Sequence, residues 1–236
     1  MGNLKYLSNS IKEKGFVYSF KRMTTLSINY LIFQLRYKLS RSTNEFSIQG
    51  NKYHYFHSLN TWENERCIEI PIIRSFIGKN IGKNILEIGN VFSNYYPFNH
   101  DIVDKYEEAK SVINHDVVDF STNKRYNLIF SISTLEHVGF DEQPKDSTKI
   151  LRSIENLISL LEIGGKIIIT LPLGYNLEMD KMISESKIPF TEVFYMKRVS
   201  KDNQWLEVRE EDVMGIKYNF PFKCANALLI GIIEPK

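Results

Sequence analysis

Apolar and polar positions near the start of the chain follow the period of an α-helix. Apolar residues recur at three- and four-residue intervals, and Lys and Arg occupy many of the positions between them. This spacing predicts a helical arm over about residues 3–42, with a break near Gly15. The apolar positions that define its stripe are Ile28, Leu31, Ile32, Leu35 and Leu39.

The next segment lacks a single period. Residues 46–60 are polar and aromatic, so we predict a loop or a short extended piece there. Helical spacing then returns and continues to about residue 78. Thr61 is the expected N-cap of this helix, because its hydroxyl can accept a hydrogen bond from a backbone N–H of the first turn. Pro71 is expected to kink the helix or to mark a boundary within it.

From residue 84 onward, short apolar runs alternate with amphipathic segments, which is the pattern of a parallel sheet covered by helices. A helix is predicted over residues 147–161, and Gly164 and Gly165 are expected to end it. The predicted fold class is α/β, with a doubly wound, mostly parallel seven-stranded sheet and an N-terminal helical arm. Strands are predicted at residues 84–88, 101–104, briefly at 112–113, at 126–131 and 166–171, and in a less regular tail at 194–199, 205–209 and 227–233.

Charge is unevenly distributed along the chain. Residues 1–42 contain eight Lys or Arg and one acid, Glu13, for a net charge of +7, whereas the remainder has a net charge of −5. A basic arm on a mildly acidic body favours contact with an anionic surface. Two interpretations follow. The arm is either an amphipathic helix that lies on an anionic membrane or on a partner, or a helix packed on its own domain with a solvated basic face.

Composition and cysteine content argue against several protein classes. With 43% hydrophobic and 25% charged residues, a fibrous or mostly disordered chain is not expected. Cys67 and Cys224 are far apart and belong to no paired pattern, so neither a disulfide framework nor a cysteine zinc site is predicted. No signal peptide, membrane-spanning run or metal-ligand spacing is recognised, so we expect a cytoplasmic protein without a metal site.

Five short motifs occur in order between residues 84 and 176. Their glycines and carboxylates follow predicted strands, where doubly wound sheets bind their ligands. The motifs are Leu86-Glu87-Ile88-Gly89, Val103-Asp104, Asn114-His115-Asp116-Val117, Leu135-Glu136-His137 and Gly164-Gly165-Lys166. In this order and spacing, the segment resembles the class I S-adenosylmethionine-dependent methyltransferases.

The resemblance implies a Rossmann-like methyltransferase fold over residues 46–236, preceded by residues 1–45 as a basic amphipathic helical arm. It also implies S-adenosyl-L-methionine as the cofactor. Ser131 and Ser133 would line the mouth of the site at the end of a strand. The implied cofactor-binding residues are Glu87, Gly89, Asn90, Asp104, Asp116, Val117 and Ser131.

Each implied residue has a role that its chemistry permits. Glu87 would organise the loop around the amino-acid part of the cofactor, and Gly89, which has no Cβ, would let the cofactor approach the backbone. Asp104 would accept two hydrogen bonds from a ribose diol, and Asp116 would contact adenine beside Val117. Structural alternatives remain, with the acids as helix caps or surface groups and the glycine as a turn residue.

The first loop departs from the family pattern. The family usually has three glycines at alternate positions here, whereas this chain keeps only Gly89. Asn90 tolerates a left-handed backbone, but Val91 and Phe92 bring bulk to the region of the cofactor. The loop is therefore expected either to follow another path or to bind the cofactor weakly or not at all.

Methyl transfer to a hydroxyl requires a base beside the acceptor. His137 and Asp141 are the candidate catalytic residues, and Glu142, His54 and His57 are further candidates for the base. We therefore predict an enzyme that O-methylates a sugar or glycan precursor, an acceptor suggested by a general likeness to small methyltransferase-like proteins of surface-polysaccharide pathways. The alternative is a non-catalytic methyltransferase-like module that partners a glycan-assembly enzyme.

A nucleic-acid acceptor is not expected. The body is mildly acidic, and residues 131–134 are Ser-Ile-Ser-Thr, without the proline pair that would hold a flipped base. The expected location is cytoplasmic. Peripheral contact with the inner face of the membrane, or with a partner enzyme, through residues 1–42 is left open.

Overall fold

The computed structural model describes residues 16–39 and 44–235 of the chain. Helix α1 spans Phe16–Leu39, within the predicted arm. The start of that arm, its predicted break near Gly15 and residues 40–42 lie outside the described residues. No described helix is long and apolar enough to cross a bilayer. The division between an arm and a domain after residue 45 stays a prediction.

Helix α1 contacts the body through an aromatic face. The buried ring of Phe33 lies 5.0 Å from the His57 ring and 5.1 Å from the Trp62 ring, measured between centroids. The Tyr30 hydroxyl donates to the carbonyl of His57 at 3.3 Å. This aromatic face of α1 therefore packs on the body of the protein, as the second interpretation of the arm predicts.

A small hairpin occupies the first part of the region predicted as a loop or a short extended piece. Strands β1 (Glu45–Ile48) and β2 (Asn51–His54) pair in the antiparallel direction. Gln49 and Gly50 join them with φ angles of 48° and 74°, which are the left-handed conformations of a tight hairpin turn. The sequence signals this hairpin weakly, because Gln-Gly is not one of the usual Asn-Gly or Asp-Gly pairs.

Helix α2 (Arg66–Gly78) begins later than predicted. Glu65 is its N-cap residue and makes no side-chain capping bond. The Thr61 hydroxyl instead accepts a hydrogen bond from the Ser58 N–H at 2.8 Å within the preceding loop. The prediction of Thr61 as the cap is wrong, because this local turn already uses its hydroxyl.

Pro71 lies inside helix α2 and does not end it. Proline has no N–H, so the carbonyl one turn earlier, that of Cys67, lacks its usual helical donor. That carbonyl accepts a hydrogen bond from the Phe56 N–H at 2.9 Å. The proline therefore allows a main-chain bond between the helix and the loop that precedes it.

The central sheet contains seven strands: β3 (Ile85–Ile88), β4 (Asp101–Val103), β5 (Tyr126–Ile132), β6 (Leu161–Pro172), β7 (Glu192–Arg198), β8 (Trp205–Val208) and β9 (Ala227–Ile233). Their order across the sheet is β4-β3-β5-β6-β9-β7-β8. Strands β4, β3, β5 and β6 pair in parallel, whereas β9 is antiparallel to β6 and β7, and β8 is antiparallel to β7. The predicted seven-stranded sheet with a parallel core is confirmed, and its other three pairings are antiparallel. The strand predicted at residues 112–113 is only a single bridge from Val103 to Ile113.

Helices cover both faces of the sheet, as in a doubly wound fold. Alternate residues of β5 belong to different cores. Ile129 belongs to the same hydrophobic cluster as Ile154 of helix α3 (Lys149–Ser159), and Phe130 belongs to the same cluster as Ile72 of α2. Helix α4 (Leu177–Ser184) lies on the α3 face through Met179.

The paired glycines belong to a strand and not to a helix end. Helix α3 ends at Ser159, and Gly164 and Gly165 lie within β6. A Cβ at Gly165 would stand 2.7 Å from the carbonyl oxygen of Tyr126, at the start of β5. The prediction that these glycines end the helix is wrong, because their role at Gly165 is the close approach of two strands.

Candidate functional site

A cavity of about 370 Å³ opens beyond the carboxyl ends of β3 and β4. Strand order reverses at β3, because β4 pairs on one side of it and β5 on the other. Such a switch point is where doubly wound sheets form their ligand crevice. Six of the nine predicted site residues line this cavity: Gly89, Asp104, Asp116, Val117, His137 and Asp141.

Glu87 supports the first loop from below and does not line the cavity. Its side chain is fully buried. One carboxylate oxygen accepts hydrogen bonds from the N–H groups of Val91 at 2.8 Å and Phe92 at 2.6 Å. The other oxygen lies 2.8 Å from Nε2 of His100. This network fixes the backbone path of the loop after β3.

The bulky residues of the first loop turn away from the cavity. Phe92 begins a short 3₁₀ turn, Phe92–Asn94, and is buried. Its ring meets that of Phe130 edge to face, with 6.0 Å between centroids. Val91 packs against the same hydrophobic cluster. The loop therefore follows a path that keeps Val91 and Phe92 out of the cavity, which agrees with the first of the two alternatives predicted from the missing glycines.

Gly89 is required by its own backbone and by a neighbouring side chain. Its φ angle is +81°, and a Cβ there would lie 2.3 Å from the Oγ1 atom of Thr134. Glycine adopts this left-handed backbone conformation at little cost in free energy, because it has no Cβ. Gly89 lines the cavity, but Thr134 explains the absence of its side chain without any ligand.

Asp104 is held at the cavity wall by three backbone groups. Its Oδ1 atom accepts from the N–H groups of Tyr106 and Glu107, both at 2.8 Å. Its Oδ2 atom accepts from the N–H of Asn90 at 3.1 Å. A carboxylate has about four acceptor positions, so about one remains for a ligand. The expected pair of hydrogen bonds to a ribose diol is thereby reduced to one. Asn90 lies outside the cavity lining and contributes through this bond.

Asp116 belongs to a group of four charges that the sequence does not reveal. Its Oδ2 atom lies 2.6 Å from Nζ of Lys149 and 2.9 Å from Nζ of Lys105. Both lysines also pair with Glu142. Burial alone would raise the pKa of Asp116, but hydrogen bonds from the two ammonium groups outweigh it and lower the pKa to about 2. Within the described chain, Oδ1 accepts only one hydrogen bond, from the Val118 N–H at 3.2 Å. This oxygen therefore keeps acceptor capacity for the adenine contact predicted for Asp116.

His137 and Asp141 form a hydrogen-bonded pair at the cavity edge. The Nδ1 atom of His137 is bonded to Oδ2 of Asp141, and the Tyr175 hydroxyl donates to the same oxygen at 2.7 Å. The Tyr175 ring meets the imidazole edge to face at 4.8 Å. Burial would raise the pKa of Asp141, but the bonds from His137 and Tyr175 lower it overall. A charged carboxylate on Nδ1 selects the tautomer whose Nε2 can accept a proton.

The other candidate bases lie elsewhere. His57 packs between aromatic rings, including Phe33 and Tyr55, and burial lowers its pKa to about 4. His54 is exposed in the hairpin, with Nδ1 3.7 Å from the Glu45 carboxylate. Neither histidine lines the cavity. Glu142 does line it, but the two lysines occupy its carboxylate.

The serines at the end of β5 do not line the mouth of the cavity. Ser131 is fully buried, and its hydroxyl has no partner among the described residues. Ser133 donates to Oε1 of Glu69 at 2.5 Å, and the Thr170 hydroxyl donates to the same oxygen at 2.6 Å. The expected position of Ser131 and Ser133 is wrong, because the Glu69 carboxylate of α2 fills the space beyond these strand ends.

A buried group of ionisable side chains surrounds Glu69. Arg66 forms an ion pair with Glu69, and Glu65 accepts from the Ala225 N–H at 3.2 Å. Glu136 is also buried, and its Oε2 atom has no partner within the described residues. Burial raises the pKa of Glu136 well above its ordinary value. Glu65, Arg66 and Glu69 lie together at the start of α2, whereas Glu136 lies in a separate 3₁₀ turn, Leu135–His137, so no local period relates it to them.

A second, larger cleft adjoins the cavity. Its volume is about 1160 Å³, and Tyr106 lines both spaces. Arg22 and Leu26 of helix α1 form part of one wall. The rest of the lining includes the acids Glu63, Glu107 and Glu108 and a set of amide and aromatic side chains, namely Asn60, Asn64, Asn90, Asn94, Phe56, Tyr95 and Phe98. The described residues contain no group of three or more potential metal ligands.

Several solved methyltransferase structures are similar to this fold. The N-methyltransferase NodS from Bradyrhizobium japonicum WM9, in complex with S-adenosyl-L-homocysteine, is 16% identical over 73% of this chain and 92% of its own, with a TM-score of 0.44. The glycopeptide N-methyltransferase MtfA, also with S-adenosyl-L-homocysteine, is 11% identical over 69% of this chain and 88% of its own, with a TM-score of 0.43. An S-adenosylmethionine-dependent methyltransferase from Clostridium acetobutylicum ATCC 824 is 14% identical over the same shares, with a TM-score of 0.38. No protein-family model and no curated protein matches the sequence. At these identities and TM-scores, the likenesses carry no conclusion about activity.

Proposed function

We propose that this protein is an S-adenosyl-L-methionine-dependent methyltransferase. The main support is that one cavity at the switch point of the sheet is lined by Gly89, Asp104, Asp116 and Val117. These four residues belong to three of the five motifs that occur in order in the sequence. Their convergence at the carboxyl ends of β3 and β4 is the arrangement that the family resemblance requires.

The residues present fit the cofactor in chemical terms. Asp104 retains acceptor capacity for a ribose hydroxyl, and Oδ1 of Asp116 retains capacity for the exocyclic amine of adenine. Val117 contributes apolar cover in the same cavity. When bound, S-adenosyl-L-methionine supplies an electrophilic methyl group.

His137 is the proposed general base for an acceptor hydroxyl. Asp141 engages Nδ1, and Nε2, which lies 3.6 Å from Oε1 of Glu136, is the atom that takes the hydroxyl proton. The Asp141 carboxylate stabilises the imidazolium that forms. Tyr175 positions the carboxylate through its hydroxyl. The described chain thus contains a base and its orienting group at the edge of the cofactor cavity.

The proposed acceptor is a sugar or glycan precursor. The larger cleft supports this class, because amide side chains can pair with sugar hydroxyls and aromatic rings can stack on the apolar faces of sugars. Tyr106 lines both spaces, so an acceptor in the cleft would adjoin a ligand in the cavity. We further propose a cytoplasmic location with peripheral membrane contact through residues 1–42, supported by their basic composition.

Calorimetric titration with S-adenosyl-L-methionine and S-adenosyl-L-homocysteine tests the proposal. We expect both to bind, and Asp104→Ala to weaken binding by at least about tenfold, since a hydrogen bond to a charged group contributes about 1.5–3 kcal/mol. Asp119→Ala is the matched control, because that carboxylate is exposed and lies outside the cavity lining. Absence of binding at millimolar ligand would overturn the proposal. Binding without methyl transfer to any glycan acceptor would favour the non-catalytic alternative.

A further inference from the structure

Helix α1 has two apolar faces, and the described residues of the body cover only one of them. The inner face carries the buried Phe33, together with Tyr30 and Leu26. The opposite face carries the stripe recognised in the sequence. Its exposed fractions lie between 49% and 64% in the described part of the chain, for Ile28, Leu31, Ile32 and Leu35. A contiguous apolar surface of this kind marks an interaction site on a soluble protein.

Helical geometry places this stripe on one side of α1. Successive residues turn by about 100°, so positions 28, 31, 32 and 35 fall within about one third of the circumference, centred away from Phe33. The exposed Lys21 and Lys38 lie on the same side of the helix, one before the stripe and one after it along the helix axis. No acidic residue occurs between positions 14 and 44. The face is therefore apolar in the middle and has a lysine toward each end of the helix.

We propose that the outer face of α1, defined by Ile28, Leu31, Ile32 and Leu35, docks in the interface of an anionic lipid bilayer. Anionic headgroups complement Lys21 and Lys38, and the apolar stripe enters the boundary between headgroups and acyl chains. The helix of 24 residues is about 36 Å long and lies along the surface. A second copy of this chain is the less suitable occupant, because two such helices would bring like charges together.

The inner face of the same helix then sits beside the acceptor cleft. Arg22 and Leu26 line that cleft, on the side of α1 opposite the stripe. Docking would therefore hold the cleft about one helix diameter, about 10 Å, from the bilayer surface. This part of the inference rests on the proposed function, and it assigns the acceptor to the class of lipid-anchored sugars.

Vesicle co-sedimentation of the full chain tests the docking face. We expect pelleting with phosphatidylcholine vesicles that contain 30% phosphatidylglycerol, and little pelleting with pure phosphatidylcholine. The double variant Leu31→Glu/Leu35→Glu should lower the partition coefficient by at least about tenfold, because two leucines that the bilayer would bury are replaced by charges that anionic headgroups repel. The matched control is Ile81→Glu/Ile163→Glu, which makes the same change at two exposed residues outside the helix. It should pellet like the unmodified chain, and circular dichroism should show both variants folded.

Three results would overturn the docking proposal. These are no pelleting of the unmodified chain, equal pelleting of the two variants, and a dimer in analytical ultracentrifugation that only the α1 variant dissociates. The last result would assign the face to a second copy. Cofactor titration of the same samples separates the two proposals. Vesicle binding without cofactor affinity would support docking and overturn the methyltransferase function. Cofactor affinity without vesicle binding would support the methyltransferase function and overturn docking.

Discussion

A methyl group added at Gly89 tests why the first loop keeps one glycine. The substitution Gly89→Ala introduces two costs. The backbone has a φ angle of +81°, which costs a residue with a Cβ about 1–2 kcal/mol. The new Cβ would also lie 2.3 Å from Oγ1, 2.7 Å from Cγ2 and 2.9 Å from Cβ of Thr134, and overpacking of this kind costs about 1–3 kcal/mol. We therefore expect a total loss of about 2–5 kcal/mol in the free energy of unfolding.

A double-mutant cycle with Thr134→Ala separates these two costs. Thr134→Ala removes the two closest atoms, together with a hydrogen bond from Oγ1 to the Ile132 carbonyl at 3.0 Å. Alone it should cost about 1 kcal/mol. In the Thr134→Ala background, Gly89→Ala should cost about 1–2 kcal/mol less than in the unmodified chain, because mainly the backbone strain remains. Urea unfolding monitored by fluorescence measures all four free energies.

Additive effects in this cycle would refute the predicted clash between a Cβ at residue 89 and Thr134. Additivity would mean that the contact with Thr134 does not constrain Gly89 and that the glycine serves its backbone alone. A cost of Gly89→Ala below about 1 kcal/mol would contradict the left-handed backbone as well. Cofactor titration of the Ala variants, where they fold, then measures how much Gly89 contributes to binding beyond stability.

Three further predictions concern titratable groups. His137→Gln should lower kcat/KM for a hydroxyl acceptor by about 10²- to 10⁴-fold while leaving the Kd for the cofactor unchanged, and an unchanged rate would show that another group takes the proton. The lysines hold the pKa of Asp116 at about 2 against an ordinary value of 3.8, so their stabilisation is complete above about pH 4 and is lost as the pH falls toward 2. Unfolding of Asp116→Asn between these pH values should lack that part of the acid dependence, and an identical profile would contradict the ion pairs. Burial raises the pKa of Asp180 to about 6, opposed by one hydrogen bond from the Gly174 N–H. Stability should therefore fall as the pH rises from about 4 to about 6, Asp180→Asn should remove this fall, and a thermal melt series that shows no difference would reject the assignment.

The strands that carry the site are predictable because each one is specified locally. Tyr126–Ile132 is mostly apolar and Ala227–Ile233 contains no polar side chain, which is typical of strands covered on both faces. The carboxyl ends of parallel strands share one edge of the sheet, so the positions of Gly89 and Asp104 at the cavity follow from strand order. The hydrophobic pattern predicts the strands, and the family resemblance predicts their order in the sheet.

The partners of the site residues are not predictable in the same way. Lys149, which contacts Asp116, belongs to helix α3, and this helix follows β5 in the sequence. Glu69, which contacts Ser133, belongs to helix α2, and this helix precedes all strands of the central sheet. Such meetings depend on how complete elements pack, which no local period encodes. The path of the first loop has the same origin, because Phe92 is drawn inward by its contact with the Phe130 ring.

The main-chain bond between Phe56 and Cys67 has a consequence for the larger cleft. Phe56 lines that cleft, and its N–H is held by a carbonyl of helix α2 that Pro71 leaves without a helical donor. Replacing the proline by alanine would improve the helix and supply a competing N–H for the same carbonyl. The amide of Phe56 should then exchange its proton with solvent faster, even as helix α2 becomes more regular. A proline inside a helix thus acts as a structural anchor for the wall of a neighbouring cleft.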